Sequence, residues 1–172
     1  MRNKTKTMCH VALNAAILCL VCPWAIPLGG VPVTLALFAV LLISLLFPWR
    51  ISLGAVVVYV ALGAAGLPVF AGFAGGFQVI IGPTGGFVLA YPIIAFAVSR
   101  LKGNFIKNCI MGFLFTIICY ILGSLWLSFT TNAEFLPSLG AVAISCVIPD
   151  VAKILCASVL ADLLKSRLKI KE

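Results

Sequence analysis

Apolar residues fill six long runs of the chain, 8–26, 34–49, 51–66, 84–100, 107–130 and 148–167. A bilayer core about 30 Å thick asks for roughly 20 apolar residues per helix, fewer where flanking residues snorkel or the bilayer thins. The pattern predicts an all-α integral membrane protein, with six transmembrane helices in a single membrane domain over 1–172. The opening "MRNKTKT" before an apolar run resembles a signal peptide. No small-residue cleavage site follows and further apolar runs come after it, so a retained first helix is expected.

The basic residues give the arrangement a direction. With the N-terminus in the cytoplasm, Arg2, Lys4, Lys6, Arg50, Arg100, Lys102, Lys107, Lys165, Arg167, Lys169 and Lys171 all fall inside. The outer loops 27–33, 67–83 and 131–147 then carry no Lys or Arg. This is the positive-inside pattern, and it predicts both termini on the cytoplasmic side of the membrane. Composition agrees: 63% of residues are hydrophobic and 9% charged, against about a quarter charged in soluble domains. The net charge of +8 lies between the apolar runs, so it reads as a topology signal. The lipid bilayer is the expected partner, and no nucleic acid is.

Two outer segments are unusual. "AGLPVFAGFAGGFQVIIGPTGGF", 65–87, carries no charge and holds seven of the fifteen glycines, two prolines and four phenylalanines. "IPLGGVPVT", 26–34, is a second uncharged Gly/Pro segment. Gly and Pro at this density break helices, and ordinary connectors carry polar residues. Irregular backbone at membrane depth is tolerated where protein buries it or it lines a cavity. The expectation is a Gly/Pro-rich cap over an outward-facing ligand pocket; plain flexible connectors are the alternative.

Few polar residues interrupt the runs. The last one opens "IPDVAKILCASVLADLLK". Pro149 suits the first position of a helix, which would set Asp150 in the first turn, where the positive helix end favours an anion. Lys153 follows one turn later on the same face. Two readings stand: a capping acid with a paired or snorkelling lysine, or a polar floor that grips a ligand. Asp162 pairs in spacing with Lys165, Glu134 falls in an outer loop, and His10 is the lone histidine, at the inner end of the first helix. Six of seven cysteines, Cys19, Cys22, Cys109, Cys119, Cys146 and Cys156, lie inside apolar runs and read as small hydrophobes. Cys19 and Cys22 have CxxC spacing, but no second pair or nearby histidine completes a metal site. No hydrolase, metalloprotease or complete phosphate-loop motif appears. "GPTGG" lacks the Lys-Ser/Thr that would complete such a loop. The chain therefore reads as a non-enzyme, with no cofactor or metal expected. Ala12 and Ala16, four apart, give the first helix a small-residue face for close helix packing.

"IPLGGVPVTL", "GAAGLPVFAGFAGGFQVIIGPTGGF" and "IPDVAK", in this order, resemble BioY, the biotin-specific substrate-binding component of energy-coupling factor (ECF) transporters. The resemblance covers most of the chain. It implies biotin captured from outside in a pocket near the outer face, with outer loops closing over it. It further implies release inward, driven by an energising module of a transmembrane coupling protein and two ATPases, which the Ala12/Ala16 face would meet. Asp150 and Lys153 match the family's ligand-facing acid and base. Phe70, Phe73, Phe77 and Tyr91 are then candidates for the apolar sheath, and Thr34, Gln78 and Thr84 for polar contacts. Gly75, Gly76, Gly85 and Gly86 would let backbone approach the ligand. Lys153 would meet the ureido carbonyl, the valerate carboxylate or only Asp150. The chain departs from the family at Val151 and Ala152, after the acid, and at Ala36, where a Gln is common. The alternatives are the same scaffold selective for another small vitamin, or a membrane scaffold without a ligand.

Overall fold

The computed structural model describes residues 2–28 and 31–168; the side chains of 2, 3, 27, 28, 31 and 168 are outside that description. Gly29 and Gly30 of the first outer loop, and Lys169 and Lys171 of the predicted inner tail, lie outside the described residues. In order, the elements are α1 (Arg2–Val21), β1 (Ala25–Leu28), β2 (Val31–Thr34), α2 (Ala36–Leu46), α3 (Trp49–Ala64), a 3-10 turn (Ala71–Phe73), α4 (Phe77–Ile81), α5 (Gly85–Leu101), α6 (Phe105–Thr131) and α7 (Phe135–Leu168).

Prolines set several ends. The residue before a proline avoids the α region, so α1 stops at Val21, short of Pro23, rather than at 26. In the same way α2 stops before Phe47–Pro48, and Pro48 stands at the N-cap of α3. The run 34–49 gives its first residues to β2. Ala25 pairs with Thr34 and Leu28 with Val31, so the first outer loop is an antiparallel hairpin and not irregular backbone.

The last helix corrects the sequence reading most. It begins at Phe135, so most of the predicted outer loop 131–147 is helical, and Pro149 and Asp150 sit mid-helix. Pro137 lies in the first turn, where its missing N–H costs nothing. At Pro149 one ladder bond is lost. The helix still runs through, because in an apolar environment every other backbone group is best satisfied within the helix. Asn132, in the left-handed conformation, ends α6 and leaves a short turn into α7.

α6 and α7 are each long and apolar enough to cross a membrane, and α2, α3 and α5 are shorter apolar helices. α2 is apolar all round and mostly buried, as a central helix must be, and it packs against α1, α3, α5 and α7. Around it α5 packs on α6, α6 on α7, α1 on α3 and α3 on α5. Large apolar side chains such as Ile117, Ile121, Leu125 and Ile148 point outward, a surface that suits lipid rather than water.

Close approaches depend on missing side chains. A Cβ at Gly63 would strike the Phe70 ring, whereas a Cβ at Gly140 would meet nothing within 4 Å. Overpacking of this kind costs about 1–3 kcal/mol, while Gly to Ala in an open helix position gains up to about 1 kcal/mol. Gly63→Ala is therefore expected to lower the melting temperature of the purified protein, and Gly140→Ala to leave it unchanged or raise it.

Candidate functional site

A chamber of about 270 Å³ opens among the helices. Its walls come from β2, the start of α2, α3, the segment 70–84, α5, α6 and α7. Val33, Leu37, Phe70, Val79, Phe87 and Val88 make much of the lining apolar. Polar groups are few, and the charged ones stand together at one wall.

That wall is built on α7 and α6. Asp150 is 6% exposed. Its Oδ1 accepts a hydrogen bond from Lys153 Nζ at 2.7 Å, with the side chains 8% and 11% exposed. The i, i+3 spacing on one helix places both groups over the same turn. Asp150 Oδ2 accepts a hydrogen bond from the Tyr120 hydroxyl at 2.6 Å, which ties α6 to α7 at this level. Ionised hydrogen bonds of this length are the strong kind. A carboxylate offers about four acceptor sites, so each oxygen keeps one for a guest donor.

The roof is a web of backbone bonds. Gly76 N–H donates to Gly63 O at 2.7 Å, and Gly72 N–H to Pro23 O at 2.9 Å. The second bond joins the segment to the residues before the hairpin. Gly72 and Gly76 have φ of 69° and 100°, backbone that glycine adopts without penalty. Trp126 Nε1 donates to Gly82 O at 3.0 Å, from α6. Phe70 is 1% exposed and meets Tyr59 edge-on, with ring centroids 5.7 Å apart. The Tyr59 hydroxyl in turn donates to Val69 O at 3.2 Å.

Of the residues singled out from sequence, Asp150, Lys153, Thr34, Phe70, Gln78, Thr84 and Tyr91 line this one chamber. Phe73 and Phe77 do not; they are 56% and 62% exposed, and Phe73 packs edge-on against Trp24 outside. Gly75, Gly76, Gly85 and Gly86 are also outside the lining. Gly85 lies against the Ile80 carbonyl and Gly86 against Trp126, so they serve close packing of segments. Gly75 fits against the Leu67 carbonyl. Ala12 and Ala16 sit on the exposed face of α1, with Asn14 and Ala15 turned inward. Cys19 and Cys22 are free thiols, Cys22 buried, and neither lines the chamber.

Sequence reading missed Tyr120, Tyr59, Phe87, Cys119 and Cys146, which all line the chamber. Tyr120 stands 30 positions from Asp150, so no local spacing links them. The one available signal is a phenol within an apolar run, since a buried Tyr hydroxyl usually finds a partner.

The fold and chamber define a class: a helical membrane protein with a largely apolar chamber and a buried carboxylate–ammonium pair in its wall. The BioY family model matches residues 1–170, and the chain belongs to the BioY family. The probable biotin transporter BioY of Pyrococcus horikoshii is 34% identical over 164 residues, 94% of this chain and 98% of the relative. The biotin transporter BioY of Thermotoga maritima is 37% identical over 144 residues, 82% of this chain and 85% of the relative. A crystal structure of the S-component for biotin from an ECF-type ABC transporter superposes with a TM-score of 0.88. Its identity is 25%, and the match covers 99% of this chain and 98% of that one.

Removing one partner of a buried ion pair costs about 3–5 kcal/mol, because the other charge is stranded; removing both costs far less. Lys153→Met is accordingly expected to destabilise the protein more than Asp150→Asn/Lys153→Met does. Chemical denaturation of the wild type, both single variants and the double variant measures this coupling.

Proposed function

We propose that this protein captures biotin at the outer side of the bacterial cytoplasmic membrane and passes it inward, as the substrate-binding component of an ECF-type transporter. The observation that carries the reading is the Asp150 carboxylate, set at the wall of an apolar chamber with acceptor capacity to spare. Its support lies also in the family and in the names its relatives bear.

Biotin's ureido ring presents two N–H donors and one carbonyl acceptor. Asp150 takes the N–H donors, and charge assistance makes such bonds worth about 1.5–3 kcal/mol. Lys153 uses one of its three donors on Asp150, and the others serve the ureido carbonyl or the valerate carboxylate. The fused rings and aliphatic chain lie against Phe70, Leu37 and Val88, as ligands do in mostly apolar pockets. Thr34, Thr84, Gln78 and Tyr91 complete the polar contacts. The segment 67–84 acts as the lid. Phe73 and Phe77 cover its outer surface.

In this reading six helices, α1, α2, α3, α5, α6 and α7, cross the bilayer with both termini inside, following the distribution of Lys and Arg. An energising module, a coupling protein with two ATPases, drives release and supplies all ATP hydrolysis. It docks on the exposed Ala12/Ala16 face of α1, where small side chains permit close helix approach.

Equilibrium binding to purified protein tests the substrate. Labelled biotin is expected to bind and to resist competition by thiamine, riboflavin and niacin; displacement by one of these would move the assignment to another vitamin. Asp150→Asn is expected to weaken biotin binding by roughly 10- to 100-fold, the factor that about 1.5–3 kcal/mol represents. A scaffold without ligand predicts no binding at all. Ala16→Trp separates capture from transport. Binding is expected to stay at the wild-type level, while uptake of labelled biotin by a biotin-auxotrophic bacterium carrying the module genes falls. Unchanged uptake would remove α1 from the docking face.

A further inference from the structure

A second site stands at the opposite end of the α3–α5 pair from the lid. Trp49, the first residue of α3, lines an open surface cavity with Pro48, Ser99, Arg100 and Lys102. The Arg50 and Arg100 guanidinium carbons each lie 5.4 Å from the centroid of the Trp49 indole. Arg100 also lies 5.5 Å from the Phe96 ring, and Phe96 meets Trp49 edge-on at 5.6 Å. Lys102 Nζ donates to Phe47 O at 3.0 Å and straps the end of α5 to the α2–α3 turn. Among the described residues no ion pair joins Arg50 or Arg100 to a carboxylate.

Stacking on one indole attracts each guanidinium and gathers two positive charges around that ring, so a nearby anion is attracted by both. The positive end of α3 faces the same cavity and favours an anion further. The apolar surroundings select the kind of anion. Leu89, Ile93 and Phe96 are 42%, 50% and 41% exposed, and with Arg100 they run along one stripe of α5 at spacings of four, three and four. A free phosphate has no use for that stripe. An acyl chain does, and Trp beside Arg is the pattern of a headgroup-level anchor.

Going beyond the proposed function, we infer that Arg50, Arg100 and Trp49 form a binding site for one anionic phospholipid. Its phosphate sits in the cavity beside Arg100, within the field of both guanidiniums, and one acyl chain lies along Phe96, Ile93 and Leu89. Basic pockets between membrane helices on the cytoplasmic side recognise headgroups of this class.

The test uses the full chain in a neutral detergent, with its melting temperature read after adding phosphatidylglycerol or phosphatidylcholine of identical acyl chains. Phosphatidylglycerol is expected to raise the melting temperature by several degrees more than phosphatidylcholine. Arg50→Gln/Arg100→Gln is expected to abolish that difference. Lys165→Gln/Arg167→Gln, which removes equal charge from the end of α7, is expected to keep it. Equal effects of the two lipids, or an undiminished difference in the Arg50/Arg100 variant, would overturn the site. So would an equal loss in the α7 variant, which would mean diffuse attraction to the basic face. Inorganic phosphate reproducing the whole increment would overturn the lipid assignment and leave an anion site. Should the Arg50/Arg100 variant fail to fold, native mass spectra of the wild-type chain decide. One retained phosphatidylglycerol in preference to phosphatidylcholine supports the site, and equal retention refutes it. A docked module subunit that binds equally well to the Arg50/Arg100 variant leaves lipid as the occupant; one that loses binding and shows no lipid preference makes the site a protein interface.

Discussion

A charge inside an apolar bundle must be compensated from within, and the arrangement of α6 and α7 follows from how Asp150 meets that requirement. Lys153 neutralises it from the same helix, and Tyr120 reaches it from α6. The Tyr120 bond ties the longest helix pair together at one level. The two bonds occupy only part of the carboxylate's capacity. In the proposed reading structure and binding draw on the same group, and an incoming donor need not break either bond.

The same constraint governs the backbone of the outer segments. A chain that leaves the helix near lipid must find partners for its N–H and C=O groups. Residues 25–34 do so as a hairpin, closing on themselves. Residues 67–84 instead borrow partners from around them: Gly63, Pro23 and the Trp126 indole. A segment held by a handful of separate bonds to different elements is easier to release than one held by a continuous ladder, because each can be broken locally, which suits the lid role proposed for it.

Much of this was legible in residue pattern, and the failures have physical causes. The runs 51–66, 84–100 and 107–130 overlap α3, α5 and α6 closely, because apolar continuity and flanking Pro or Lys mark such ends well. The last helix did not follow its apolar run, since Pro137 in a first turn is harmless and Pro149 is tolerated where backbone has no water to turn to. The Asp150–Lys153 pair was readable from i, i+3 spacing alone. Tyr120 was not, because its partner comes from another helix and only packing brings them together. Phe73 and Phe77 looked like lining, yet the positive φ at Gly72 and Gly76 turns that stretch so that their rings face out. Gly85 and Gly86 looked like close-approach positions for a ligand and instead accommodate Ile80 and Trp126.

The measurement closest to the central claim is a cycle in which one bond is removed from either side. Binding constants of biotin and of a ureido-N-methylated biotin are determined for the wild type and for Asp150→Asn. If the carboxylate receives the ureido N–H, methylation weakens binding strongly in the wild type and little in the variant, so the two losses fall well short of adding. Losses that simply add would show that carboxylate and ureido group do not meet, and Asp150 would then have no part in recognising the ring.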